Sequence, residues 1–454
     1  MRIANWAVAA LAAIVALLAP ALWNGFPLLE YDTGGYLARW YEGYLVPSRS
    51  TVYGLFAVAG WPLDFWPIVV LQAIAVVWVL ALVLRSYGFG GRPWTLLAVI
   101  VTLALTTTLS WIAGILLTDV FAGLAVLALH LVVMRPDTLS RIERLALILF
   151  IAFCGATHSA TFAVLLGLAL VAFAAALSRR RIVTLIGALR GAVAVGLAAV
   201  MLLAANFALS GQFAWTPGGY GIVFARMLED GIVARYLDAH CGDESFKLCA
   251  YRHRLPPTAD DFLWAYGSIF DKLGRFKGLG DEMRTIVLGS LVDYPGEQLE
   301  TALAASGRQL ISVGTGEGVV NTLAHTYGII EHYMPSVAPA MRAARQQHGD
   351  LHFAAINAVH VPVALATMAL LPLLLALGLR QRDYLDIGLL AATVTLALLG
   401  NAVVCGTLSN PHDRYGARLA WVPLMVAALV VLRRQSVAGE AQTRIVVAPS
   451  SARV

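Results

Sequence analysis

Glu30 and Asp32 stand two residues apart in LLEYDTGGYLARWY (28–41), directly after an apolar run long enough to cross a membrane. Just outside a bilayer the dielectric falls below that of bulk water, and a carboxylate there becomes more basic. Such acids can take a proton from a hydroxyl nucleophile or help hold a divalent cation. Gly34 and Gly35 allow close backbone approach or an unusual turn. Tyr31, Tyr36, Trp40 and Tyr41 fit the aromatic belt of a membrane interface, which accounts for the rings but not for the acids.

Other clusters carry comparable chemistry. Asp119 follows Thr118 at the start of the apolar run DVFAGLAVLALHLVVM, where helix capping and the helix dipole also favour an acid. His158, in GATHSATF, lies in the break between two apolar runs; it is a functional candidate there, with a structural histidine as the competing reading. SNPHDRYGARLAW (409–421) crowds His412, Asp413, Arg414, Tyr415 and Arg418 together. Guanidinium groups bind phosphates bidentately. Two arginines about one helical turn apart with one nearby acid leave spare positive charge for an anionic ligand; an internal Asp413–Arg414 pair is the alternative. The stretch 240–272 mixes Arg252, His253, Arg254, Asp260 and Asp261 with Trp264 and Tyr266, a composition equally suited to a sugar-binding surface and to a domain core. TGEG (315–318) has no P-loop lysine, so no nucleotide site follows. No zinc, haem, Rossmann or triad signature is present.

The elements that must position these residues are set by composition. The 454-residue chain is 59% hydrophobic and only 13% charged, where a soluble protein carries about 25% charged residues. Apolar spans are expected near 3–22, 66–84, 95–110, 117–134, 145–157, 160–177, 190–209, 356–379, 387–404 and 419–432. The first could imitate a secretory signal, but its apolar part is longer than a usual signal core and reads as a retained helix. The fold class is therefore an all-α polytopic membrane protein of about ten transmembrane helices. The net charge of +5 is read loop by loop rather than as affinity for nucleic acid. The turns 85–94, 135–144, 178–190 and 380–386 and the tail from Arg433 all carry arginine, which places them in the cytoplasm. Every chemically loaded segment then falls on the opposite face, as one shared site at that membrane surface.

The expected organisation is a transmembrane module over 1–209 with a first outer loop at 23–65, whose TVYGLFAVAGWPLDFW reads as an interfacial or re-entrant helix. A mostly helical extracytoplasmic domain follows over 210–355, then transmembrane helices over 356–434 and a disordered cytoplasmic tail over 435–454. Cys241 and Cys249 flank GDESFKL within the outer domain, where an oxidising compartment allows a disulfide, with two free thiols as the alternative. Cys154 and Cys405 read as packing residues.

An acidic first outer loop just after helix one, interfacial helices in that loop, a second outer acid at a helix start and a late Arg-Tyr pair resemble the GT-C glycosyltransferases. The resemblance covers about the first 210 residues and the loop 409–421. It implies an inverting transfer of sugar from a polyprenyl-phosphate carrier to a glycan, lipid or protein acceptor outside the membrane. It further implies a bacterial-type inner membrane location with the site facing the periplasm or exterior, and a divalent cation, Mg or Mn. Asp32 resembles the first-loop acid that deprotonates the acceptor or helps bind the metal, with Glu30 beside it, and Asp119 is similar to the second-loop acid. Arg414 and Tyr415 resemble the motif near the carrier phosphate, with Arg418 beside them and His158 or His412 as helpers. The chain departs from the pattern in having EYD rather than an adjacent acidic pair, and in placing its outer domain between the seventh and eighth spans. A polymerase or ligase of polyprenyl-linked glycans and a flippase for an anionic lipid-linked sugar are the rival readings.

Overall fold

The computed structural model describes residues 2–178, 182–242 and 246–447. The described residues form helices joined by short turns, with one isolated backbone bridge, Leu28 to Ile115, and no strand. In the N-terminal half these are α1 (Arg2–Asn24), α2 (Thr33–Glu42), α3 (Thr51–Val58), α4 (Trp66–Ser86), α5 (Pro93–Thr106), α6 (Leu109–Gly114), α7 (Asp119–Met134), α8 (Arg141–Thr157), α9 (Ser159–Ser178) and α10 (Leu185–Ser210). Local signals set several starts. Ser140 caps α8 in a reciprocal capping box with Glu143, and Ser50 and Thr184 cap α3 and α10 through their hydroxyls.

Seven helices among the described residues are long and apolar enough to cross a membrane: Ile3–Asn24, Trp66–Ser86, Ser159–Ser178, Leu185–Ser210, Phe353–Arg380, Arg382–Leu408 and Asp413–Ser436. The other three expected spans fall on α5, α7 and α8, with 14, 16 and 17 residues. At 1.5 Å per residue these reach about 21–26 Å, less than the roughly 30 Å of a hydrocarbon core. For α7 the shortfall has a packing reason. Every residue from Asp119 to Val133 is buried, so this helix faces other helices rather than lipid.

The segment 210–355 is not one body. Helices α11 (Gly219–Glu229), α12 (Ile232–His240), α13 (Ala259–Leu263), α14 (Ile269–Lys272) and α15 (Arg275–Asp293) enclose their own core, from Phe224 to Val287. A disulfide joins Cys241 and Cys249 at its edge. Beyond it, α16 (Pro295–Ile311) packs along a later membrane helix. The helices α17 (Ala324–Tyr333) and α18 (Ala338–Ala343) place Ile330, Met334 and Met341 in the core of the membrane bundle. The expected outer domain is thus a smaller folded unit followed by a stretch built into the membrane module.

Helices α19 (Phe353–Arg380), α20 (Leu385–Leu408), α21 (Asp413–Ala420) and α22 (Val422–Val447) complete the chain. Gly378 and Gly388 let α19 and α20 touch backbone to backbone; a Cβ on Gly388 would lie 2.9 Å from the Cα of Gly378. Helix α22 continues to Val447, into the stretch expected as a disordered tail, and 448–454 lie outside the described residues. At one end of the bundle Arg135 and Arg433 both pair with Asp386, and Arg85 pairs with Glu143. These are residues of the arginine-bearing turns, gathered together.

Candidate active site

The backbone of 28–34 is held on all sides. Leu28 N donates to Gly114 O and Leu116 N to Leu28 O, each at 2.9 Å. Gln346 acts as a surrogate strand, accepting from Leu29 N at 3.1 Å and donating to Leu29 O at 2.7 Å. Tyr31 N donates to Gly318 O, and the Thr326 hydroxyl lies 3.0 Å from Glu30 O and accepts from Gly34 N. The Gly-Gly pair has its reason here. A Cβ on Gly34 would sit 2.7 Å from the Cα of Thr326.

The acids point inward. Asp32 is the N-cap of α2, yet its carboxylate makes no cap bond. Instead one oxygen accepts from Arg414 Nη1 at 2.7 Å and the other pairs with Arg49. Glu30 accepts from the same Arg414 nitrogen at 2.7 Å, and its second oxygen accepts from Asp32 N. Asp119, at the first turn of α7, places Oδ2 3.5 Å from Arg414 Nε; its Oδ1 is buried without a hydrogen-bond partner. Three carboxylates from two distant segments therefore converge on one guanidinium, which lies 5.5 Å from the ring centre of Tyr31 and 5.4 Å from that of Tyr415.

This arrangement corrects two expectations. Arg414 is occupied by Glu30, Asp32 and Asp119 in this arrangement rather than by Asp413, which accepts from Gly314 N at 2.9 Å. Asp32 is not made more basic. Burial pushes its carboxyl up, but Arg49 and Arg414 together outweigh burial and hold it below its ordinary value. Glu30 moves the opposite way. Burial pushes it well up, Asp32 and Asp119 add to that, and Arg414 offsets only part. Neighbouring carboxyls with opposed shifts are the pattern from which acid and base roles are divided.

Arg418 is 1% exposed and its hydrogen bonds go to neutral groups: Asn401 Oδ1, Cys405 Sγ and His158 Nδ1 at 3.1 Å. A guanidinium can only donate, so Nδ1 of His158 accepts and the ring proton sits on Nε2. Burial, then Arg418, Arg414 and Arg49, lower the histidine well below its ordinary value, which keeps it neutral. His412 lies apart from the acids. It bonds Glu317 at 2.6 Å, and Glu317 also accepts from Arg414 N, so this pair braces the start of α21.

The segment 314–318 covers the cluster. Gly318, at φ +76°, has no room for a Cβ against Glu30 and the Tyr31 ring, and Gly316 likewise lies against Phe353. The glycines that gave no nucleotide site serve to bring backbone onto the acids. Beneath them lies a cavity of about 30 Å³ lined by Glu30, Asp119, Trp111, Phe353 and Arg414. That is room for about one water and not for a sugar ring.

No family model, curated protein or solved structure matches the chain.

The divalent cation implied by the resemblance does not fit the residues as they stand. The place between Glu30, Asp32 and Asp119 is taken by the guanidinium of Arg414, and no group of three or more His, Cys, Asp or Glu among the described residues could hold a metal. Sequence reasoning also missed residues of the site. Arg49 completes the ion-pair network, and Arg39, fully buried, donates to the carbonyls of Arg49 and Gly35. A signal was available. Both are outer-loop arginines against the topological trend, the property that singles out Arg414 and Arg418. Gln346 and Thr326 carried no such signal, because they act on backbone.

Proposed function

We propose that the protein is a polytopic membrane glycosyltransferase of GT-C type, moving a sugar from a polyprenyl-phosphate carrier to an acceptor hydroxyl. In this reading about ten helices cross or enter a bacterial-type inner membrane, the arginine-rich end faces the cytoplasm, and the acid cluster faces the outer side. The observation that supports it most is the meeting of Glu30, Asp32, Asp119 and Arg414, since Arg414 lies 384 residues along the chain from Glu30.

The geometry adds a coupling between donor binding and base strength. With both arginines on Asp32 the carboxylate is a poor base. A donor phosphate arriving beside Arg49 and Arg414 draws their charge away from Asp32, whose affinity for a proton then rises. Asp32 takes the acceptor proton as the acceptor oxygen bonds to the anomeric carbon. The bond from that carbon to the phosphate oxygen breaks, and the arginines hold the departing phosphate charge, with Arg418 adding its field. His158, neutral and carrying its proton on Nε2, can donate to the same phosphate or to the sugar. The cavity as it stands admits no sugar ring, so donor entry requires the residues lining it, the 314–317 backbone among them, to give way.

The test is sugar transfer by purified protein in lipid, with a panel of polyprenyl-phosphate sugars, for wild type, Asp32→Asn and Arg49→Gln. Loss of a general base lowers turnover by about 10²–10⁴-fold. Transfer that survives Asp32→Asn in a folded variant would remove Asp32 from the role of base. Donor binding with no turnover on any donor or acceptor would replace the enzyme with a carrier of lipid-linked sugars. Glycan blocks rather than single sugars on the acceptor would make it a polymerase or ligase.

A further inference from the structure

Helix α16 is built the wrong way round for a helix in water. An amphipathic helix of a soluble domain buries its apolar face and shows its polar one. Over Pro295–Ile311 the buried residues are Gln298, Ala305 and Gln309. Leu299, Leu303 and Ile311 instead face outward, each more than 60% exposed. These three lie at intervals of four and eight residues, on one side of the helix, with Ala304 and Gly307 between them.

The inner face is polar because it makes specific bonds. Gln309 exchanges two hydrogen bonds of 2.9 Å with the backbone of His412, at the mouth of α21. Gln298 lies beside the buried Arg226. At its middle α16 meets α20 through small residues. A Cβ on Gly406 would sit 2.8 Å from the backbone of Ala305 and Ser306, the kind of close crossing by which helices associate inside membranes.

Helix α20 supplies the clue to what covers the outer face. Within its spanning segment Leu396, Leu399 and Val403 are all exposed, and in a membrane span such side chains meet acyl chains. Helix α16 packs against this same helix near its Gly406 end, and its exposed leucines present the same apolar chemistry as the exposed residues of α20. Its two outward charges suit that position. Arg308 carries a long side chain that reaches the headgroup level from a helix lying in the interface. Glu300 stands on the exposed side near the start of the helix, where the helix dipole favours an acid.

We infer that α16 is an interfacial membrane helix, with Leu299, Leu303 and Ile311 immersed among the acyl chains of the outer leaflet. The folded unit over 219–293 is then moored to the bilayer on both sides in sequence, by α10 before it and α16 after it. This inference rests on the membrane character of the bundle and not on the proposed reaction.

The test uses single cysteines carrying a bimane fluorophore, introduced into the full chain in phosphatidylcholine–phosphatidylglycerol vesicles. Cys154 and Cys405 are buried and leave the introduced thiol as the reactive one. Leu303→Cys and Leu299→Cys are the probes, Leu399→Cys is the lipid reference and Lys277→Cys, on the exposed start of α15, is the aqueous reference. The expected result is that both probes lose most of their fluorescence to lipids bearing a shallow nitroxide, as Leu399→Cys does, and little to iodide. Quenching by iodide as for Lys277→Cys would overturn the inference. Protection from both quenchers would also overturn it, because a second copy or another protein would then cover the face.

Discussion

Replacing Arg414 by glutamine removes the one cation that Glu30, Asp32 and Asp119 share, and it tests the central claim about the site. Glu30 is wholly buried and Asp32 nearly so, so neither carboxylate gains compensating water when the guanidinium is lost. Breaking a buried ion pair by removing one partner costs about 3–5 kcal/mol. The penalty does not triple over three acids, because an orphaned carboxyl can take up a proton. The unfolding entropy of roughly 2.1 cal/mol/K per residue comes to about 0.95 kcal/mol/K over 454 residues. The melting temperature therefore falls by about 3–5 °C, and by more if helices persist in the unfolded state and reduce that entropy. The sign of the pH dependence follows from which form is favoured. In the variant the folded pKa of the orphaned acids lies above the unfolded value. Their contribution is then fully present below the unfolded value and lost as pH rises through the folded one. In the wild type the lowered pKa of Asp32 does the opposite, contributing stability above its ordinary 3.8 that is lost as pH falls through the folded value. The deficit of Arg414→Gln is thus largest near about pH 8 and shrinks toward about pH 5. Adding Glu30→Gln to Arg414→Gln recovers part of the loss, with a coupling of about 0.5–3 kcal/mol. Melting curves of the four proteins at both pH values are the assay. A deficit below about 1 kcal/mol, the scale of a surface pair, or strictly additive single effects, would refute the shared-cation reading.

Two further outcomes are expected. Cys241→Ser opens a loop with a sequence separation of 8, for which loop entropy gives about 2.5 kcal/mol; cleavage within 219–293 by limited proteolysis should speed up accordingly, as it should for wild type under reductant. In the His412–Glu317 pair, burial lowers the histidine but Glu317 outweighs it and holds it above its ordinary 6.5, while bonds from His412 and Arg414 N outweigh burial and hold Glu317 below 4.5. The raised histidine stabilises fully below 6.5 and fades as pH rises through its folded value; the lowered acid stabilises above 4.5 and fades as pH falls. The brace is therefore strongest between about pH 4.5 and 6.5, and protection of the Arg414 amide from hydrogen exchange, measured against Glu317→Gln, should decline above that window.

The sequence made the helical, membrane-crossing character legible because runs such as Trp66–Ser86 and Phe353–Arg380 are apolar well beyond what a soluble helix needs. It overstated the full-length spans, since α7 is as apolar as its neighbours but is shielded by them, and burial cannot be read from hydropathy. At the site, residue type pointed to Glu30, Asp32, Asp119 and Arg414 as candidates. What type could not give was pairing. From residue type Arg414 is either spare charge or a partner of Asp413, because the three acids around it come from residues about 300 or more positions away. The outer segment was read as one domain because α16 and α17 have ordinary soluble compositions, and only packing against α20 and α2 assigns them to the membrane module.

The 384-residue separation of Glu30 from Arg414 also sets a clock on biosynthesis. At about 5–20 residues per second, the acid-bearing segment leaves the ribosome about 20–80 s before Arg414, the arginine its two acids share. One of its backbone clamps is late as well, since Gln346 follows Leu29 by 317 positions. Through that interval Asp32 has only Arg49 to meet, and Glu30 lacks its arginine altogether. Synthesis of Arg414, rather than insertion of any one helix, is then the event that completes the charge pairing of the site. A ribosome stalled short of Arg414 would leave every membrane helix but the last in hand and Glu30 still without its cation.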